Sequence, residues 1–228
     1  MSTTHSEYYA HQENLFDPKR ARKVILLGAG SVGSHVAYHL TKMGVTELEV
    51  WDDDTVASHN VPMSLYGPED VGRFKVDALK EIIERLTGTT ILTERKMYSG
   101  EAFRHVSIVA CVDSMQARKL LWERLKYCPT VDIFCDTRTA ATYVEVLSVA
   151  PCDPTDVELY EALLFDDTIA ARQSCGQHGI VYAASRAAQV VAVNLALFWQ
   201  HGKKESRIAE QTMTLDPIFG PAQRKDES

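Results

Sequence analysis

The 228-residue sequence predicts an α/β fold: a mostly parallel sheet with helices on both faces, extended by antiparallel strands in the C-terminal half. Two observations carry this prediction. Short apolar runs, typical of strands buried on both faces, alternate with stretches whose apolar residues recur at helical spacing. After Thr130 this alternation stops, and "VDIFCDT" and "TYVEVLSVAP" follow one another as consecutive strands.

The elements of the first half follow in order along the chain. "KVILL", at 23–27, predicts a strand that ends at Gly28, and "TELEVWD" predicts the next one. Between them lies a predicted helix, closed by "MGV" and marked by Val32, Val36, Leu40 and Met43. The same patterns predict a second helix (Val76, Leu79, Ile82, Ile83, Leu86), the strand "HVSIVACVDS" and the helix "SMQARKLLWERLKYC".

The domain prediction is an N-terminal arm at 1–22, a single domain at 23–215 and a flexible tail at 216–228. The polar stretch from Cys152 to about Gly176 predicts an irregular crossover loop. Residues 180–199, "IVYAASRAAQVVAVNLALFW", are about as long as a membrane span. Because Arg186, Gln189 and Asn194 interrupt this stretch, we predict a buried helix and no membrane partner.

Composition narrows the function. The formal net charge of -7 argues against a nucleic-acid partner, which would call for a basic face. The five cysteines form no CxxC pair, so neither a disulfide framework nor a zinc site is expected. The N-terminal stretch lacks the apolar core of a signal peptide. We therefore expect a cytoplasmic protein.

The segment after the first strand has the pattern of a nucleotide-binding loop. Gly28, Gly30 and Gly33 let the backbone turn tightly and approach phosphate oxygens at the start of the following helix. Asp52 ends the next strand at the spacing expected of a ribose ligand, as in a Rossmann-like unit. A purely structural glycine turn is the alternative. The loop by itself suits NAD or ATP.

Further polar residues favour ATP. Asp113 ends a buried strand in "IVACVDS", so it should face the ligand crevice at the carboxyl edge of the sheet. A carboxylate there would repel phosphates unless a divalent cation lay between them, which indicates a Mg²⁺ ligand. Asp54, Asn60 and Lys75 are additional candidates.

The sequence resembles the E1-like ThiF/MoeB/HesA activating enzymes, which adenylate the C-terminal carboxylate of ubiquitin-like or sulfur-carrier proteins. The resemblance rests on "GAGSVGSHVAYHLTKMGV", "DDDTVASHN", "DVGRFK", "CVDSMQAR" and "CGQHGIVYAASRAAQ", in that order. These motifs cover most of residues 23–199, and as an ordered set they are far more specific than the glycine loop alone.

The resemblance implies roles for matching residues. Asp52 would bind ribose, Asp54 and Asn60 would support the ATP pocket, Lys75 would bind phosphate, Asp113 would bind Mg²⁺, and Arg118 would be the arginine that follows this aspartate. It also implies ATP as a cofactor, a small carrier protein as partner, and a homodimer, since relatives are commonly dimers.

Two arginines of the family pattern are absent. The family motif Asn-Leu-x-Arg-Gln corresponds to "NVPMS", with Met63 in the arginine position, and a second arginine near the N-terminus corresponds to His11. Neither side chain can copy a guanidinium. Arg73, or one of Lys19, Arg20 and Arg22, is a candidate substitute. A catalytically reduced scaffold protein and an NAD-dependent oxidoreductase therefore stay open as alternatives.

Cys175, in "RQSCGQHGIVYAA", is the candidate nucleophile. It precedes a predicted helix start, where the helix dipole favours a thiolate, and His178 is a candidate base. In the resembled family, a cysteine at this position takes part in thioester, persulfide or acyl-disulfide chemistry in some members and is dispensable in others. A small buried hydrophobe is the alternative.

The remaining polar candidates have simpler expected roles. We expect core packing for Cys111, Cys128 and Cys135, surface or interface positions for His35 and His39, a side chain facing away from the site for Asp53, and a solvated loop for Asp166 and Asp167. Two interpretations of Arg138 stay open: contact with a carboxylate substrate, and a surface ion pair.

Overall fold

The computed structural model describes residues 8–12, 14–102, 104–140, 143–165 and 180–211. These residues form one seven-stranded sheet in the order β3-β2-β1-β4-β5-β6-β7. The strands are β1 (Val24–Leu27), β2 (Leu48–Trp51), β3 (Leu92–Glu94), β4 (Val106–Ala110), β5 (Val131–Ala140), β6 (Tyr143–Val149) and β7 (Arg207–Gln211). The α-helices are α1 (Ser31–Lys42), α2 (Lys75–Thr87), α3 (Met115–Leu125), α4 (Pro154–Ala162) and α5 (Val181–His201).

The sheet is parallel from β3 to β5 and antiparallel from β5 to β7. The change occurs where helical crossovers end, because β6 follows β5 directly and must run back beside it. The predicted mixed sheet is confirmed, with its antiparallel extension in the C-terminal half.

Side-chain alternation along the strands builds two cores. Val24 and Leu26 pack on one face with α1, α2 and α5, whereas Ile25 and Leu27 pack on the other with α3 and α4. All four residues are at most 4% exposed. Helices therefore cover both faces, as a continuous apolar strand requires.

Three elements lie outside the sequence predictions. Helix α4 occupies part of the stretch that we predicted to be irregular, so that prediction is wrong for Pro154–Ala162. Its start has a recognisable signal: Asp153 accepts a hydrogen bond from the Thr155 amide at 2.9 Å, and Pro154 occupies the first turn. Strands β3 and β7 are short edge strands whose apolar pattern is weak.

Helix α5 is long and apolar enough to cross a membrane by length and composition. In the fold, its small residues Ala183, Ala184, Ala187 and Ala188 are buried against the sheet and α1. Asn194 is fully buried, and its Nδ2 donates to Ser148 Oγ at 2.9 Å. Half of its most apolar stretch is buried, so packing within the chain, as predicted, accounts for part of its apolar character.

The segment before β1 also packs on the body of the fold. Phe16 is 4% exposed, and its ring centroid lies 5.9 Å from that of Trp199 in α5. Gln12 Nε2 donates to the Met43 carbonyl, just after α1, at 2.8 Å. These contacts fix the segment along one side of α1 and α5.

Candidate functional site

The glycine loop joins β1 to α1 in a space that excludes side chains at two positions. Gly28 has a φ of +96°, and a Cβ there would lie 2.6 Å from the Cys111 carbonyl oxygen. A Cβ on Gly33 would lie 2.0 Å from the Gly28 carbonyl oxygen. Glycine is therefore required for the loop, α1 and the end of β4 to meet.

Gly30 differs from these two glycines because it faces open space. A Cβ there would meet no heavy atom within 4 Å, and Gly30 is the N-cap of α1. The first amides of a helix have no partner within the helix, and they favour an anion. The open space at Gly30 is thus where a phosphate would approach.

Asp52 links the end of β2 to this loop. Its Oδ2 accepts from the Ala29 amide at 2.7 Å, and its Oδ1 accepts from the Asp54 amide at 2.8 Å. Burial raises the pKa of the carboxyl above its ordinary value, an effect opposed by these amides and by the Lys75 ammonium. Asp52 is therefore held against the glycine loop, and its role as a ribose ligand stays a prediction.

Lys75 begins α2 and points into the same region. Its Nζ lies 2.7 Å from Asp54 Oδ2 and 3.7 Å from Asp52 Oδ1. The lysine is 9% exposed, whereas the Asp54 side chain is 70% exposed. Tyr66, which the sequence did not single out, connects the glycine loop to the start of α2. Its Oη lies 2.6 Å from the Ala29 carbonyl oxygen and 3.2 Å from the Lys75 carbonyl oxygen. A buried ammonium group therefore lies beside Asp52, the residue that contacts the glycine loop.

The three consecutive aspartates come closer together than we predicted. Asp52, Asp53 and Asp54 each offer a carboxylate oxygen, and these oxygens lie within 4.8 Å of one another. The expectation that Asp53 faces away is wrong because β2 ends at Trp51, after which strand alternation no longer applies. Such a set of oxygens is suited to a hard divalent cation.

Asp113 is exposed and lies just beyond β4 at the same edge of the sheet as the glycine loop. Ser114 caps α3 by accepting from the Ala117 amide at 3.1 Å. Arg118 points back into the protein, where its Nε donates to Asp136 Oδ1 at 2.9 Å. The sequence did not single out Asp136, which is one of two acids, with Asp132, in the otherwise mostly apolar run "VDIFCDT".

Asn60 lies in the 3₁₀ helix Ser58–Met63, and its Oδ1 accepts from the Ala57 amide at 2.9 Å. It therefore shapes the loop after the aspartates. His35 of α1 is 8% exposed, so the predicted surface or interface position is wrong for this residue.

The other arginine candidates are engaged away from the loop. Arg73 pairs with Asp70 at 3.0 Å and Glu81 at 2.6 Å, and it lines a separate charged concavity of about 530 Å³ between α2 and β3. Arg22 pairs with Asp132 before β1, at the opposite edge of the sheet. Among the described residues, Lys75 is the cation placed at the aspartates.

Arg138 forms ion pairs, as one interpretation predicted, but in the interior and not on the surface, and its contact with a carboxylate substrate stays a prediction. The residue is 8% exposed, and its Nε donates to Asp136 Oδ2 at 2.9 Å. Its Nη1 lies 3.3 Å from Glu145 Oε2 and 2.9 Å from the Leu163 carbonyl oxygen. Arg138 therefore belongs to a buried ion network.

The described cysteines differ in exposure, which predicts their reactivity. Cys135 is buried, Cys111 is partly buried and Cys152 is exposed, and desolvation raises the pKa of the Cys111 and Cys135 thiols to about 12. Because the thiolate is the reactive form, iodoacetamide at neutral pH should label Cys152 well before the other two, as read by peptide mass spectrometry. Equal labelling of all three in the folded protein would contradict this burial.

Four of the residues singled out in the sequence lie outside the described residues. They are Cys175, His178, Asp166 and Asp167. Cys175 and its proposed chemistry therefore stay a prediction.

Known proteins resemble this chain in sequence and in fold. The family model described as "ThiF family" matches residues 10–225. The chain is 38% identical over 68 residues to the adenylyltransferase and sulfurtransferase uba4 of Aspergillus fumigatus, which is 29% of this chain and 14% of that protein. It is 34% identical over 70 residues to ubiquitin-like modifier-activating enzyme 5 of Caenorhabditis elegans, 31% of this chain and 17% of that protein.

Solved structures share the fold at low sequence identity. Escherichia coli MccB, crystallised with AMPCPP and MccA, is 17% identical, with a TM-score of 0.65 over 90% of this chain and 65% of that one. PaaA is 17% identical, with a TM-score of 0.69 over 94% of this chain and 76% of that one. Because the family model spans nearly the whole sequence and the fold agrees, the chain belongs to the ThiF family.

Proposed function

We propose that the protein binds MgATP and adenylates the C-terminal carboxylate of a small ubiquitin-like or sulfur-carrier protein. The observation that carries the proposal is the meeting of an open helix N-terminus at Gly30, an anchored Asp52 and a buried Lys75 at one edge of the sheet. The names of the relatives, which include adenylyltransferases and a ubiquitin-like activating enzyme, support the reaction class.

In this proposal, the chemistry depends on alignment and charge. A substrate carboxylate attacks the α-phosphate of ATP and pyrophosphate leaves, so no protein nucleophile is needed in this step. Lys75 and the first amides of α1 stabilise negative charge on the phosphate oxygens, and Asp52 orients the ribose. Asp54 and Asn60 shape the loop beside the nucleotide.

The residues present fit a magnesium ion. Asp113 at the end of β4 and the aspartate cluster after β2 supply carboxylate oxygens, which are the ligands that Mg²⁺ prefers. When bound, the ion would offset the charge of the phosphates. In this proposal Asp113 would hold the ion, and Lys75, at the start of α2, would contact the phosphates.

A catalytically reduced scaffold is the second candidate function, and a specific observation favours it. Met63 replaces the arginine that the family pattern supplies, and Arg73 is held by Asp70 and Glu81. Such a protein would bind nucleotide and a partner without forming an adenylate.

The first proposal has three further parts. They are transfer through Cys175, a homodimeric assembly and a cytoplasmic location.

ATP–pyrophosphate exchange separates these functions. Exchange should depend on a carrier protein with a free C-terminal carboxylate, and the same carrier with an amidated C-terminus is the matched control. Nucleotide binding without exchange for any carrier tested would favour the scaffold. Candidate carriers can be chosen as small proteins ending in Gly-Gly that are encoded beside this gene.

A further inference from the structure

A buried ion network lies between β5, α3 and α4, behind the turn that carries Asp113. Asp136 is at its centre and is fully buried. Its Oδ1 accepts from Arg118 Nε at 2.9 Å, and its Oδ2 accepts from Arg138 Nε at 2.9 Å and from Tyr160 Oη at 3.1 Å. A buried carboxylate is tolerated when both oxygens are bonded in this way.

Arg118 connects this network to the candidate metal ligand. Its Nη2 donates to the Val112 carbonyl oxygen at 2.6 Å and to the Thr137 carbonyl oxygen at 2.7 Å. Val112 directly precedes Asp113. The hydrogen bonds between β4 and β1 reach as far as the Cys111 amide, which donates to the Leu27 carbonyl, and beyond this point Arg118 holds the Val112 carbonyl.

We propose that Asp136 is a positioning residue that fixes the Asp113 turn through Arg118. The carboxylate orients the guanidinium, and the guanidinium holds the backbone immediately before Asp113 against β5. An exposed carboxylate binds a cation well only when its own backbone is held in place. The inference rests on the proposed function in one respect, namely that Asp113 is a ligand of Mg²⁺.

The network itself supplies a matched control. Glu145 is also buried, at 6% exposure, and it accepts from Arg207 Nε at 2.8 Å and from Arg138 Nη1 at 3.3 Å. Among the described contacts, neither of these arginines touches the Asp113 turn. Glu145→Gln therefore removes a similar buried charge but leaves the Arg118 clamp in place.

The test measures how strongly Mg²⁺ tightens the binding of a non-hydrolysable ATP analogue to the full chain. Calorimetry gives the factor by which Mg²⁺ lowers the dissociation constant of the analogue. Mn²⁺ electron paramagnetic resonance reports the bound ion directly. Asp136→Asn and Arg118→Lys should each lower the factor about tenfold, the range found for residues that support a metal ligand. Glu145→Gln should stay within about twofold, and Asp113→Asn sets the full loss.

Each outcome decides a separate point. An unchanged factor in Asp136→Asn and Arg118→Lys, with the expected loss in Asp113→Asn, would overturn the positioning role alone. An equal loss in Glu145→Gln would overturn it too, because general loosening of the network would then explain the result. If the ATP affinity of the wild-type protein did not depend on Mg²⁺, both the magnesium proposal and this inference would be overturned.

Discussion

Replacing Gly33 by alanine should lower the free energy of unfolding by about 3 kcal/mol or more, because the new Cβ would lie 2.0 Å from the Gly28 carbonyl oxygen. Neither atom has room to move, since Gly28 is itself packed against the backbone of Cys111. Urea unfolding followed by circular dichroism measures the change. The loop and the start of α1 would have to separate to accept the methyl group.

Gly30→Ala is the matched control, for which we expect little change in stability but weaker ATP binding. A Cβ at Gly30 meets nothing within 4 Å, so the stability should change by less than about 1 kcal/mol. The methyl group would instead enter the space proposed for phosphate, and ATP affinity should fall. If Gly30→Ala bound ATP as well as the wild type does, the phosphates would have to lie elsewhere.

Lys75→Ala should reduce ATP affinity and carrier-dependent exchange about a hundredfold. The lysine is the described cation beside the aspartates, and a charge-assisted contact in a partly buried site supplies energy of this order. The substitution also leaves Asp52 and Asp54 without their positive partner, so the free site would repel phosphate. Calorimetric ATP titration and the exchange assay both measure the effect.

Two variants test whether charge at this position is responsible. Lys75→Arg keeps the positive charge and should retain more activity than Lys75→Ala. Lys80→Ala removes another lysine of α2, one that lines the separate concavity. This variant should behave like the wild type. An equal loss in Lys80→Ala would point to net charge instead of a phosphate contact.

The parts of the fold with strong local patterns could be predicted from the sequence. β1 is apolar at every position because both of its faces are covered, and α1 has the spacing of a helix packed on a sheet. The glycine loop and Asp52 were also predictable, since their spacing reflects a geometric requirement. Helix α4 was hidden because polar residues surround its capping signal.

The positions of charged side chains could not be predicted because they depend on long-range packing. Asp136 is 24 residues from Tyr160 along the chain, yet the Tyr160 hydroxyl donates to its carboxylate. No local pattern indicates that Arg138 is buried beside them. The same limit applies to Asp53, because strand alternation no longer predicts side-chain directions after β2 ends at Trp51. Local spacing fixed which residues reach the carboxyl edge of the sheet, and tertiary packing fixed which of them face the loop.

The most direct test of the central claim is calorimetric titration of the purified full chain with a non-hydrolysable ATP analogue and with NAD⁺, each with and without Mg²⁺. We expect one ATP analogue per chain, bound more tightly with Mg²⁺, and no binding of NAD⁺ at the same concentration. Binding of NAD⁺ in preference to the ATP analogue, or of neither nucleotide, would contradict the account.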